Sequence, residues 1–215
     1  LTGSRLADNP GSGRVQRRRG RRTREILTTA AELFGERGYD AVSLEDVAER
    51  LDVTKGSLYY YFRSKGELGT AAIEALGNDW TERLEQLPAA RTGPPSERLR
   101  ALLQEHISIA VREYPAALRL FLVPRDWPAD TAARIKDLRR RHNQIFRTVI
   151  EEGVRSGEFT VTGIGTTLQC MHAAMSQAST WCTRLPEPDR ATAIDELTET
   201  LMMLVGQPPN SDATI

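Results

Sequence analysis

The sequence predicts an all-α chain, and three observations predict it. Apolar residues recur at three- and four-residue intervals from Ile26 to Leu204. No segment shows the period-two alternation of a half-buried strand. Capping residues open the periodic stretches, and glycine or proline closes them, at ordinary helix lengths.

Each element follows in order. Residues 1–22 are rich in Gly, Ser, Asn, Pro and Arg, a composition that predicts a flexible basic arm. Ile26, Leu27, Ala30, Ala31, Leu33 and Phe34 mark a first helix, which "GERGYD" stops. Ser43 is placed to cap "LEDVAERL", whose stripe is Leu44, Val47, Ala48 and Leu51. The short turn "DVT" leads into "TKGSLYYYFRSKGEL". Ser64 and Glu67 have capping-box spacing, so a fourth helix is expected to start there and continue past Leu76.

Pro88, Pro94 and Pro95 then interrupt the chain, and Ser96 is expected to cap a helix through Leu99, Leu102, Leu103, Ile107 and Val111. "EYP" ends it, and a short piece around 118–123 runs into "PRDWP". From about Ala129 to Ser156 a long helix carries Ile135, Leu138, His142, Ile145, Phe146, Val149 and Ile150 on one face. Two last helices, roughly 163–183 and 189–205, carry Ile164, Leu168, Met171, Met175 and Ala178, then Ile194, Leu197, Leu201 and Leu204. Residues 207–215 read as a tail.

Composition narrows the class. Hydrophobic residues at 40% and charged residues at 27% describe a globular chain, without the ~18-residue apolar run of a membrane span or a signal-peptide pattern. The expectation is a cytoplasmic protein with no membrane partner. Cys170 and Cys182, twelve residues apart on one predicted helix, are too far apart to bridge within it and are read as reduced packing residues. The net charge of zero conceals an asymmetry: residues 1–65 hold 13 Lys and Arg against 9 Asp and Glu, the remainder 16 against 20. A basic N-terminal third suits contact with a polyanion, although an arginine run is as often a solvated tail.

Two short helices joined by a tight turn form a helix-turn-helix, whose second helix presents its N-terminal residues to DNA base edges. Thr54, Lys55, Gly56 and Ser57 suit that position: Gly56 permits close backbone approach, and Lys55 and Ser57 are donors for bases or phosphates. At 100° per residue, Leu58 and Phe62 share the face that packs inward, with Tyr61 partly buried beside them. Tyr59 and Tyr60 point elsewhere, where their hydroxyls can donate to phosphates, and Lys65 can neutralise another.

The stretch "AAELFGERGYDAVSLEDVAERLDVTKGSLYYYFRSKGEL", within 23–76, closely resembles the tetracycline-repressor (TetR) family of bacterial regulators. That resemblance implies a three-helix DNA-binding domain over 23–68 and a larger helical ligand-binding and dimerisation domain over 69–206. By position it implies DNA contacts at Ser43, Thr54, Lys55, Gly56, Ser57, Tyr59, Tyr60 and Lys65. One family base-contact position falls on Glu45, read here as facing solvent. It further implies a homodimer on a double-stranded operator, with the last two helices pairing through Leu168, Met171, Met175, Leu197, Leu201 and Leu204.

A small-molecule effector is implied between the middle helices. The candidates are His106, Tyr114, Phe121, Trp127, His142 and Phe146, with His142 and His172 open to a plain core role and Trp80 to wall or packing. "RRRHNQIF…IEEGVRSGEF" and "EYPAALRLFLVP" resemble a subgroup that answers to acyl-CoA thioesters, for which Arg134, Lys136, Arg139, Arg140 and Arg141 could hold a phosphate. No nucleophile–base pair, phosphate-cradling glycine loop or metal-ligand spacing is present in the sequence, so neither an enzyme, a cofactor nor a metal is expected. A ligand-released repressor is the reading; an activator of the same family, or a helical protein-interaction module, is the alternative.

Overall fold

The computed structural model describes residues 10–114, 116 and 129–206. Among them are eight α-helices and no strand. In chain order these are α1 (Pro10–Arg37), α2 (Leu44–Arg50), α3 (Lys55–Tyr61), α4 (Lys65–Gln86), α5 (Pro95–Ser108), α6 (Ala129–Ser156), α7 (Ile164–Trp181) and α8 (Asp189–Met202). A π-helical turn, Ile109–Glu113, extends α5, and Tyr114 closes it. The expected piece at 118–123, the pocket candidates Phe121 and Trp127, residues 1–9 and the tail 207–215 lie outside the described residues.

The expected arm is largely helix. α1 begins at Pro10, so residues 10–22 continue the helix that carries Ile26 and Phe34. Proline suits the first helical turn, arginine is a strong helix former, and Arg22 pairs with Glu25 three residues on at 2.6 Å.

Local chemistry sets the angle between α2 and α3. At the start of α2, the Asp46 N–H donates to Ser43 Oγ (3.1 Å) and the Ser43 N–H donates to the Asp46 carboxylate (2.7 Å). At its end Asp52 takes a left-handed conformation (φ 52°). The Asp52 N–H then reaches Glu49 O and the Val53 N–H reaches Ala48 O, both at 3.0 Å, the paired bonds of a Schellman termination. Thr54 caps α3, its Oγ1 accepting from the Ser57 N–H at 3.2 Å.

Two expected caps differ from the pattern. Ser64 Oγ accepts from Glu67 N–H at 3.1 Å, but the Glu67 carboxylate accepts from the Arg63 N–H (2.8 Å). Ser96 is not the cap of α5. Pro95, whose ring fixes a helical φ, starts that helix, and the Ser96 N–H is satisfied by Glu158 Oε1 at 3.0 Å.

Buried side chains form two cores. Ile26, Leu33, Phe34, Val47, Leu58, Leu68 and Ile73 belong to the N-terminal one, with Ile135 of α6 added. Trp80, Leu84, Leu103, Phe146, Leu168, Met175 and Ile194 belong to the other. The change of core therefore falls inside α4, between Leu76 and Trp80. Tyr39 lies so close to α4 that a Cβ on Gly69 would come within 2.6 Å of its ring.

The expected partner-facing stripe on α7 and α8 is corrected here. Leu168, Met171, Met175 and Leu201 are fully buried within the single chain, because α7 and α8 turn these stripes onto α5. Leu197 is half-buried on the same core, and of the six only Leu204 is exposed, at 41%. Cys182 is buried as expected, whereas Cys170 is exposed.

Asp52 carries the strain of the α2–α3 turn, since a left-handed residue with a β-branched side chain clashes with its own backbone. Asp52→Val is expected to cost about 1–2 kcal/mol in urea unfolding, while Asp52→Gly costs nothing or stabilises.

Candidate functional site: a helix-turn-helix face and a histidine-walled cavity

α3 meets solvent along one side only. Leu58 is completely buried and Phe62 nearly so, Tyr61 is half-buried, and Tyr59 and Tyr60 are 42% and 70% exposed. The angular assignment of the aromatic run thus holds. Thr54, Lys55, Gly56 and Ser57 are all exposed on the same surface. At Gly56 a Cβ would meet nothing closer than Thr54 Oγ1 at 3.9 Å, so the interior does not demand glycine there. Arg19 of α1 lies over the Tyr60 ring at 5.7 Å, bringing the basic first half of α1 beside α3.

Several of the basic groups already have partners. Glu45 is exposed as expected, and its carboxylate is paired with Lys55. Their hydrogen bond lowers the Glu45 pKa and raises that of Lys55. Lys65 donates to Asp40 O at 3.1 Å and lies 4.6 Å above the Tyr39 ring. Ser43 serves α2 as its cap.

The second feature is a cavity of about 500 Å³ between α4, α5, α6 and α7. Gly77, Trp80 and Thr81 line it from α4, His106 from α5, Leu138, Arg139, His142 and Asn143 from α6, and Gln169, His172 and Ala173 from α7, among others. The three histidines of the chain converge there. His142 Nε2 and His106 Nδ1 are 3.1 Å apart, and the His172 ring centre is 5.6 Å from that of His142. Phe146 packs behind all three rings without lining the space. Tyr114 lies elsewhere, bridging the two cores.

Burial decides the charge of these rings. Desolvation first, and then the neighbouring imidazoles, push His142 down to about 3 and hold His106 well below the usual histidine range. Desolvation pushes His172 down to about 4. At neutral pH the cluster is uncharged. Among the described residues no group of three His, Cys, Asp or Glu is arranged to hold a metal ion.

Comparison with known proteins agrees with this geometry. Residues 26–72 match the model of bacterial regulatory proteins of the tetR family, and residues 92–203 match the tetracyclin repressor-like C-terminal domain. The chain belongs to the TetR family. It is 29% identical over 155 residues to the transcriptional repressor KstR2 of Mycobacterium tuberculosis, covering 69% of this chain and 72% of that one. A TetR/AcrR-family regulator from Thermobifida fusca superposes with a TM-score of 0.65 at 29% identity, over 84% of this chain and 96% of the other. FadR of Bacillus subtilis, solved with stearoyl-CoA, shares the fold at a TM-score of 0.67 and 20% identity, over 84% and 97% of the two chains.

Within this TetR-family chain, two of the six pocket candidates, His106 and His142, line the cavity. Trp80 and His172, which the sequence leaves open between pocket and packing, also line it, whereas the single positions of Thr81, Asn143 and Gln169 gave no signal. The rarity of histidine in the chain was the one available clue. The family matched is regulatory, not enzymatic. Among the described residues no helix is long and apolar enough to cross a membrane.

The depressed imidazoles make stability depend on pH. The unfolded chain takes up protons near pH 6.5, which the folded cluster refuses until about pH 3–4, so stability falls as pH falls through this window. Urea unfolding at pH 5 is expected to show a loss of up to about 2 kcal/mol per histidine relative to pH 7.5, and His142→Gln flattens that slope.

Proposed function

We propose that this chain is a homodimeric repressor whose α3 enters the major groove of an operator and which leaves the DNA when a small molecule fills the histidine-walled cavity. The observation that carries this reading is α4, which packs against the DNA-binding core through Leu68, Ala72, Ile73 and Leu76 and lines the cavity through Gly77, Trp80 and Thr81. A ligand can shift the spacing of two recognition helices only through an element common to both places. α6 reinforces the link: Thr131 bonds Thr70 at 2.9 Å, and Arg134 and Arg141 pair with Glu74 and Glu85 of α4. The repressor role of KstR2 supports the sense of regulation.

On this reading Thr54, Lys55, Gly56, Ser57, Tyr59 and Tyr60 meet the DNA. Ser43 and Lys65 contribute mainly by holding α2 and the start of α4 in place, since both are engaged within the chain. The dimer surface uses residues that one chain leaves exposed, such as Trp181, Met203 and Leu204, instead of the buried stripes.

Replacing Lys55 and Tyr60 together by Ala should weaken binding to fragments of the chain's own promoter at least about thirty-fold in fluorescence anisotropy, with the circular dichroism spectrum unchanged. Undiminished DNA binding would end the assignment of α3 and favour a protein-interaction role. Glu45→Gln removes a negative charge from the DNA face and releases Lys55. Binding is expected to tighten about three- to tenfold, with a steeper dependence on salt.

A further inference from the structure

The cavity walls carry four buried polar atoms with no hydrogen-bond partner among the described residues: Trp80 Nε1, His106 Nε2, Asn143 Oδ1 and His172 Nε2. Trp80 and His106 are each only 5% exposed. Buried polar groups in folded proteins are nearly always paired, so four together around one space describe an unfilled hydrogen-bonding pattern. The indole N–H can only donate, and the Asn143 oxygen can only accept.

The imidazoles adapt to either role. A neutral ring carries one proton, and His106 shares its Nδ1 with His142 Nε2. When His142 donates across that contact, His106 keeps its proton on Nε2 and presents a donor. When His106 donates from Nδ1, its Nε2 presents an acceptor. The constellation is therefore a fixed donor, a fixed acceptor and nitrogens able to match whichever group lies between them.

Charge and shape narrow the ligand further. Among the described residues no carboxylate lines the cavity, and the one charged lining residue, Arg139, is an exposed side chain. A buried ion would thus enter without a buried counter-ion, which is strongly unfavourable. Rings form part of the wall: Trp80 and His106 lie 4.8 Å apart, and His142 and His172 5.6 Å apart. The surface that faces the space is mostly apolar, which suits a ring system carrying few polar groups.

We infer that the cavity selects a compact, uncharged ring compound bearing a hydrogen-bond donor and acceptor side by side, as in an amide, a lactam or a hydroxy-carbonyl group. It discriminates against carboxylates. Trp80 Nε1 holds the acceptor of the ligand, Asn143 its donor, and His106 and His172 complete the set. This rests on the reading of the cavity as the effector site.

Calorimetry on the full chain at pH 7.5 tests the inference with 1-naphthamide and 1-naphthoate, which share a ring system and differ in charge. 1-Naphthamide is expected to bind at least about tenfold more tightly than 1-naphthoate. Trp80→Phe, which keeps an aromatic wall and removes the N–H, should weaken 1-naphthamide about tenfold and leave 1-naphthoate little changed. Asn143→Leu is the second variant should Trp80→Phe not fold, with the same expectation. Equal or tighter binding of 1-naphthoate, no binding of 1-naphthamide, or its indifference to the folded variant would each overturn the inference. Anisotropy on the same preparation with promoter DNA separates the two levels. DNA binding with a charged ligand in the cavity sinks only the ligand class, whereas absence of DNA binding sinks the regulatory reading.

Discussion

One helix belongs to two hydrophobic cores, and the rest of the structure depends on that sharing. The first three turns of α4 supply Leu68, Ala72, Ile73 and Leu76 to the core that orients the helix-turn-helix. Its later turns supply Trp80 and Leu84 to the core beneath the cavity. Close-packed cores do not deform continuously, so a helix locked into both can transmit a displacement only as a rigid body. Gly69 under the Tyr39 ring and the Thr70–Thr131 hydrogen bond fasten it at the DNA-facing end.

Electrostatics are divided between the two ends in opposite ways. The α3 face carries exposed cations, with Lys55 held by Glu45 and Arg19 stacked on Tyr60. Exposed pairs of this kind are weak, so phosphates can compete for the same cations. The cavity is the reverse: its three histidines are buried together and neutral, because each imidazole loses water and faces another imidazole. The polarity of these rings lies in hydrogen-bonding capacity, without charge.

Legibility followed the range of the interactions. Ser43 as the cap of α2, Leu58 and Phe62 as inward anchors, and Tyr59 and Tyr60 as outward rings were readable, because each depends on neighbours within one or two helical turns. The extension of α1 to Pro10 was misread because glycine, serine and asparagine in the arm outweighed the helix preference of its arginines. The apolar stripes of α7 and α8 were legible as stripes, but their partner was not. Periodicity says that Met171 and Leu201 are buried and is silent on which surface buries them; here it is α5 and its neighbours in the same chain.

The sequence by itself determined the all-helical class, the helix-turn-helix with its exposed polar edge, and the membership that follows from these. Those properties are written in spacings of three or four residues, in caps and in turns. Only the tertiary structure decided that His106, His142 and His172, spread over three helices and 66 residues of chain, meet in one uncharged wall with Trp80. It likewise decided that Glu45 reaches Lys55 and that α4 serves two cores. Contacts between helices depend on crossing angles and rotations that no local pattern encodes, so the ligand site emerges only when the helices are packed together.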